Sequence, residues 1–525
     1  MRTAQRYRMV ILTYESAKEY KNPFLDCVIT AVFQGPSGQN IVREAYWDGE
    51  NIYRIAFAPT EEGMWSYVLR APAGSGLDGR RGRVKCVPYT GALDIYRHGF
   101  LRISRDKRYF TYADGTPFFW LGDTHWEFCY RERWEESNHP DMDSMFRGMI
   151  DRRAEQGYTI YQTNLRSDAL MGGEKYYWQS PGVPNLKFYQ NELDRRMYYL
   201  ADKGFVNALG LAWFMSIEDQ VETYQNLARY IMARYGALPM VWTLAGETGG
   251  YDKTKKPFYL EEWRKVALYM KERNSYGHPM TAHYTNERPF SSYYQDEEWM
   301  GFTLNQAGHG DYVISADDYK EFLREHGDKP FVEGEAFYEY CSTLEENGSR
   351  LCTDAMVRRV AYLTIQAGGC GYTYGAQGIW DVVWEKGQEN AMSVFNRFDV
   401  SWAEAIDGPG GQQMGFFRKF YEDQKFWEMY PYQAGTDAAG DPFGKKLPLI
   451  TATKDRKRWV FYYPEAVRKS ESIEGFRDAA YEMRWFDPRT GEYGEAAEFR
   501  TEGGFFQIPT KPDRNDWCLV VWEKD

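Results

Sequence analysis

With 525 residues and a formal net charge of −12, the chain is long enough for about two to four domains and too acidic for a nucleic-acid protein, which needs clustered Lys and Arg for phosphate. An apolar share of 43 % excludes a disordered chain, and no run of about 18 apolar residues is present to span a membrane. The seven cysteines are scattered, odd in number and without a CxxC pair, so no disulfide framework is indicated and free buried thiols are expected.

The N-terminal stretch MRTAQRYRMVILTYESAKEY has basic residues, but its apolar MVILTY is too short for the middle of a signal peptide and no small-residue cleavage site follows. The sequence therefore reads as cytoplasmic. Residues 1–92 read as all-β. In NIYRIAF (51–57), Tyr53, Ile55 and Phe57 share one face at period two, and in MWSYVLR (64–70), Trp65, Tyr67 and Leu69 do the same. The polar APTEEG between them predicts a hairpin, and the whole segment predicts a small β-sandwich.

Residues 93–428 change character. Short apolar runs alternate with longer amphipathic ones. The strand candidates are PFFWLGDT (117–124), YTIYQTNL (158–165), FVNALGLAW (205–213), PMVWTLAGE (239–247), HPMTAHYT (278–285), MGFTLNQAG (300–308), KPFVEGE (329–335) and GGCGYTYG (368–375). Helical patterns separate them, such as MFRGMIDRRAEQG, YQNLARYIMARYG, YLEEWRKVALYMKERN, DDYKEFLREHG and CTDAMVRRVAYLTIQAGG. Repeated strand–helix alternation implies a parallel sheet, and eight units predict an α/β chain built on a (β/α)8 TIM barrel. An open doubly wound sheet is the alternative, but it usually carries a Gly-rich turn after its first strand, which LGDTHW is not. A charge-rich helix, FFRKFYEDQKFWEMY (416–430), leads into residues 429–525, where RWVFYYP, YEMRWFDPRTGEY and WCLVVWE predict a second β-sandwich.

In such a barrel the strand C-termini ring the active site. They present Asp123, Thr124, His125 and Trp126 on strand one, then Gln162, Asn164 and Arg166 on strand two. Strand three presents Trp213, strand four Glu247, and strand five His283 and Tyr284. Asn305, Gln306 and His309 come from strand six, and Glu333 and Glu335 from strand seven. Tyr372 and Tyr374 end strand eight, whose loop carries Gln377, Trp380 and Asp381. Carboxylates, amides and rings suit sugar hydroxyls and sugar faces. Glycoside hydrolysis needs two carboxylates, one to protonate the leaving oxygen and one to attack or to activate water. Strands four and seven lie across the barrel, so Glu247, set among small residues in VWTLAGETGG, can face Glu335. Glu333 points the same way one layer deeper, so Glu335 is favoured. A surface turn for Glu247 and a strand-end cap for Asp123 remain the bland alternatives.

No HExxH and no close histidine pair indicates a metal, and no cofactor is implied. GPGGQQMG (408–415) follows no strand and reads as a loop and helix start. NGS (347–349) fits a glycosylation pattern without meaning in a cytoplasmic protein, and no GxSxG elbow occurs.

RDKRYFTYADGTPFFWLGDTHW (105–126), VWTLAGE (241–247), KPFVEGEAFYE (329–339) and AGGCGYTYGAQGIW (367–380) together resemble a bacterial glycoside hydrolase group related to family 140, the apiosidase-like proteins. The flanking segments resemble the β-sandwiches found on either side of this catalytic domain, the second described in relatives as collagen- or carbohydrate-binding. The resemblance implies a (β/α)8 barrel whose strand-four and strand-seven acids fall on Glu247 and Glu335. Glu at strand four, where these relatives often carry Asp, is similar to the large retaining clan of barrel glycosidases, although Gly246 stands where that clan usually has Asn. The expectation is a retaining glycosidase acting on an oligosaccharide or glycoside of plant or host origin, with Glu247 as acid/base and Glu335 as nucleophile. Trp126, Trp213, Tyr284, Tyr374 and Trp380 are the candidate stacking platforms, and Asp123, Gln162, Asn164, Asn305, Gln306 and His309 the candidate hydroxyl binders. A carbohydrate-binding protein on a dead barrel, and a barrel lyase or isomerase, are the competing classes. Homo-oligomer contacts through the flanking sheets stay open.

Overall fold

The computed structural model describes residues 1–129, 131–165, 177–180, 182–309, 316–343, 350–388, 398–432, 448–464 and 472–524. Arg166 and the NGS pattern fall outside these residues.

Seven parallel strands form the barrel wall, in the order Met240–Gly246, Val206–Trp213, Ile160–Asn164, Trp120–Thr124, Gly371–Tyr374, Phe331–Glu335 and Thr303–Gln306. Every residue of these strands is buried, as expected of parallel strands covered on both faces. The expected fifth strand is present only as a stave. Parallel bridges Trp242↔Met280 and His283↔Leu304 join it to strands four and six and close the ring. Pro279 supplies a carbonyl to Trp242 N (3.0 Å) but has no amide to give, which keeps the run from laddering regularly.

The helices Met145–Glu155, Val221–Tyr235, Lys256–Arg273, Ala316–His326 and Asp354–Gln366 cover the wall where the amphipathic patterns place them. The pattern expected at 416–430 is a helix only to Asp423. It begins at Pro409 inside GPGGQQMG, with Pro at the first helical turn, and cannot run on because Lys425 sits at φ 53. The start of PFFWLGDT belongs elsewhere too. Pro117–Phe118 joins Phe110–Thr111 and Arg102–Ile103 in a small sheet at the barrel floor, where Phe110 packs on Trp120 and Phe302.

The N-terminal region is a β-sandwich. One sheet runs Arg2–Gln5, Arg81–Val87, Gly63–Arg70, Thr30–Gln34, Asn40–Glu44, and the other Val10–Glu15, Ile52–Phe57, Tyr46–Trp47. This corrects the expected hairpin. Ile52–Phe57 and Gly63–Arg70 lie in different sheets, because the apolar faces of both runs are buried and stack across the sandwich. Phe57 lies 3.8 Å from Phe33 ring to ring and meets Trp65 edge-on.

The C-terminal sandwich is an antiparallel sheet, Met429–Tyr432, Leu449–Thr453, Arg458–Tyr463, Trp517–Glu523, Ala480–Asp487, Glu492–Tyr493, with Ala497–Arg500 also on Ala480–Asp487. Ser472–Glu474 and Phe505–Gln507 pair against it over a core of Trp459, Phe461, Phe476 and Phe506. Buried side chains dock both sandwiches on the barrel. Arg43 donates to the carbonyls of Met232 (2.8 Å) and Ala233 (3.0 Å), and Arg358 makes a two-pronged pair with Asp516 at 2.9 and 3.1 Å. No helix among the described residues is long and apolar enough to cross a membrane.

Candidate active site

Strand four is irregular where it matters. Its pairing with strand three slips between Trp242 and Leu244, a bulge that leaves Leu244 at φ 56. Gly246 follows, and here only glycine fits. A Cβ would lie 2.5 Å from the Trp213 ring and 2.6 Å from Asn164 Nδ2. Glu247 then adopts φ 50, a left-handed conformation that costs a non-glycine residue about 1–3 kcal/mol and is most often kept at functional sites. A tight turn, Gly250 N to Glu247 O at 2.7 Å, fixes it.

Glu247 is half-buried. Its Oε1 accepts from Gln306 Nε2 (3.2 Å) and from the Tyr251 hydroxyl. Burial raises its pKa above the ordinary glutamate range, and the charge of Glu335 raises it further, against the pull of Tyr251, Gln306 and His283.

Glu335 ends strand seven and is 5 % exposed. His309 Nε2 lies 3.0 Å from its Oε1, and His283 Nε2 3.3 Å from its Oε2. Burial alone would raise its pKa, but the two imidazoles outweigh that and hold it down at about 2. His283 touches both carboxylate residues, since its Nδ1 also faces Glu247 N at 3.4 Å. Glu333 is fully buried behind them. Its oxygens accept from Asn305 Nδ2 (2.7 Å), Tyr319 (2.9 Å), Ala307 N (2.9 Å) and Glu335 N (3.2 Å), so it braces the strand ends.

Among the expected residues, the structure brings Glu247, Glu335, Gln306, His309, Asn164, Trp126 and Trp213 together. Trp126 meets Trp213 and His283 edge-on. Trp380 joins through Tyr338, whose hydroxyl accepts from Trp126 Nε1 (3.2 Å) and whose ring lies 4.5 Å from His309. Asn164 Nδ2, Trp213 Nε1 and Gln306 Oε1 are buried and have no hydrogen-bond partner among the described residues. Such atoms are costly to leave unpaired in a folded protein.

Other expected substrate binders make hydrogen bonds within the protein. Asp123 Oδ2 accepts from Arg153 Nε (2.6 Å) and faces His125 Nε2 (3.0 Å). Gln162 bonds to Gly334 O and Thr373. Asn305 uses its amide nitrogen on Glu333. Tyr284 donates to Tyr293 O and accepts from Gln295, and Tyr374 donates to Glu339 (2.5 Å) under the Arg153 guanidinium. In each case a partner from another element takes up part of the hydrogen-bonding capacity, and Asn305 Oδ1 stays without a partner among the described residues. The structure places His283, presented by strand five, in the site and adds Tyr338 and Tyr251. Tyr338 follows strand seven in the stretch KPFVEGEAFYE, whereas Tyr251 follows a Gly-Gly pair with no periodic signal. No group of three or more His, Cys, Asp or Glu placed to hold a metal ion occurs among the described residues.

A family model described as "Apiosidase-like, catalytic domain" matches residues 104–428, more than half of the chain. A "Domain of unknown function (DUF5060)" matches 3–71, and a "Putative collagen-binding domain of a collagenase" matches 440–522. Among solved structures, a "putative glycoside hydrolase" from Bacteroides vulgatus ATCC 8482 superposes with a TM-score of 0.76 at 16 % identity, covering 100 % of both chains. A structure named "Glycoside hydrolase" gives 0.69 at 22 % identity over 83 % of this chain and 100 % of its own. A glycoside hydrolase family 5 member from the same Bacteroides strain gives 0.68 at 20 % identity over 83 % and 96 %. At these identities the likeness is one of fold. Among curated protein sequences, none matches this chain. The match over the whole barrel establishes that the chain belongs to the apiosidase-like family of glycosidases.

Proposed function

We propose that the barrel hydrolyses a glycosidic bond in an oligosaccharide or glycoside with retention, using Glu335 as nucleophile and Glu247 as acid/base. One observation carries this reading. Two carboxylates at facing strand ends are driven in opposite directions, Glu335 toward the ionised form by two histidines and Glu247 toward the protonated form by burial and by the charge of Glu335. Gln306 and Tyr251 both donate to Glu247 Oε1, which leaves Oε2 to carry the proton that is transferred. A Glu335 oxygen attacks the anomeric carbon while Glu247 protonates the departing oxygen, and the C–O bond breaks. Glu247, now a base, takes a proton from water, whose oxygen attacks the same carbon and frees Glu335.

The orphaned Asn164 Nδ2, Trp213 Nε1 and Gln306 Oε1 support a hydroxyl-rich ligand, and Trp126 and Trp213 supply ring faces. We assign catalysis to residues 93–428, with 1–92 and 429–525 as flanking units. The seven buried cysteines fit a cytoplasmic address, for which short oligosaccharides of plant or host origin are the suitable substrates.

The test is hydrolysis of aryl pentosides, furanosides and hexosides, both anomers, by wild type, E247Q and E335Q. The expected result is one cleaved glycoside, loss by several orders of magnitude in both variants, and a first-formed sugar of unchanged anomeric configuration by NMR. Inversion would overturn the nucleophile. Full activity in either variant would overturn its residue's role.

A further inference from the structure

Tyr251 stands apart from the tyrosines that fill the interior. Its side chain is tied to Glu247 through the hydroxyl, yet the residue is 54 % exposed. The backbone explains how both hold. Thr248 is anchored by its amide to His283 O (3.0 Å) and by its hydroxyl to Ala245 O (2.9 Å). The chain then reverses through Gly249 and Gly250. A Cβ on Gly249 would lie 2.9 Å from the Tyr293 hydroxyl. Gly250, at φ 61, presses on the Phe214 ring, where a Cβ would lie 2.6 Å away. The reversal swings Tyr251 back over Glu247, edge-on to Phe214 at 6.2 Å. The exposed part of the apolar ledge beside the acid is the Tyr251 ring, since Phe214 is buried.

We infer that Tyr251, packed edge-on against Phe214, forms the subsite for the leaving group, and that this subsite selects a leaving group with a flat apolar ring face. The inference rests on Glu247 being the acid/base. An acid must reach the oxygen that departs, so the body of the leaving group lies beside whatever flanks that acid on its solvent side. Here that is the Tyr251 ring, one hydrogen bond from the carboxyl. The sugar that reacts lies on the other side, between Glu335 and the Trp126–Trp213 pair. A pyranose C–H face and an aromatic alcohol share the required chemistry, because both stack on a tyrosine ring.

The experiment uses three substrates with one glycone, the one cleaved in the panel above: a 4-nitrophenyl glycoside, a disaccharide and a methyl glycoside. Y251F and Y251A both lack the hydroxyl and differ only in the ring, so their ratio isolates stacking. From Y251F to Y251A, kcat/KM is expected to fall about tenfold on the ring-bearing leaving groups, mostly through KM, and no more than about twofold on the methyl glycoside. A fall confined to the disaccharide assigns the ledge to sugars, and one confined to the nitrophenyl arm assigns it to aromatic alcohols. An equal fall on all three, with unchanged melting of Y251A, would overturn the subsite and leave Tyr251 a positioning residue for Glu247. E247Q in the same assay reports separately on the acid/base, since loss of the acid costs the methyl glycoside more than the 4-nitrophenyl glycoside, so failure of that assignment is not mistaken for failure of the subsite.

Discussion

Two buried polar clusters share one rim of this barrel, and they differ in what they leave unpaired. At strand one, Asp123, His125 and Glu132 use every polar side-chain atom on one another or on near neighbours. Arg153, Thr124 N and Tyr161 bond to these carboxylates, with His125 between two of them at 3.0 and 2.6 Å, and only Arg153 Nη2 and Thr124 Oγ1 at the edge of this set lack a partner among the described residues. Burial alone would lower the His125 pKa, but Glu132 and Asp123 outweigh it and raise it to about 9. At strands two to seven, polar atoms of Asn164, Trp213 and Gln306 are buried without partners around Glu247 and Glu335. Both clusters are equally polar in sequence. The first is closed around its carboxylates, and the second keeps buried polar atoms beside its two carboxylates that a hydroxyl-bearing ligand would satisfy.

The sharpest way to test that contrast is to neutralise one acid in each cluster. E335Q and E247Q should lose activity by several orders of magnitude while both stay cooperatively folded at the assay temperature, measured by initial rates and calorimetry on the same preparations. R153M should do the reverse. Removing the partner of a fully buried Asp123 is expected to cost about 3–5 kcal/mol in urea unfolding, and residual activity at low temperature should remain. Unchanged stability of R153M would erase the distinction. G246A comes next. Its methyl must displace the Trp213 ring or the Asn164 amide, a strain of about 1–3 kcal/mol, and activity should suffer more than stability.

The smallest expected effect is a shift of pH dependence. Glu335 must be ionised, and its depressed pKa, about 2 against an ordinary 4.5, contributes stability that is present above the ordinary value and lost as pH falls through the folded one. In the proposed mechanism Glu247 acts in its protonated form. Its raised pKa contributes stability present below the ordinary value and lost as pH rises through the folded one, where the basic limb of kcat/KM falls. H309A removes one imidazole from Glu335, so the acid limb should move up toward the ordinary glutamate range. An unmoved acid limb would detach His309 from the nucleophile.

Much of the site is legible because parallel strands buried on both faces read as continuous apolar runs. A Glu that ends such a run is costly to bury unless a pocket receives it. Glu247, Glu335, Gln306, Trp126 and Trp213 stand out on that ground. Asp123, Tyr284 and Tyr374 are not separable from them by the same reasoning. A strand-end position says that a side chain points into the barrel mouth, not whether Arg153, Tyr293 or Glu339 already waits there. The hairpin expected between Ile52–Phe57 and Gly63–Arg70 fails for a related reason. Two apolar faces joined by a short polar segment can pair edge to edge or stack across a sandwich, and only the surrounding strands decide. Tyr251 is illegible because its place depends on a backbone reversal at glycines, which periodicity does not register.

The fifth stave of the barrel has a dynamic consequence. Where its neighbours are regular strands, residues 280–283 hold the wall by isolated bridges, with Gly301 N bound to Met280 O and Thr281 N to Trp242 O, both at 2.8 Å. Segments secured by few ladder bonds open locally before the rest of a fold does, so amide hydrogen exchange should be fastest there within the wall. His283 rides on this segment while touching both carboxylate residues. Opening of the seam would therefore loosen the imidazole from Glu335, and a bound sugar bridging the two lips should slow exchange along the stave.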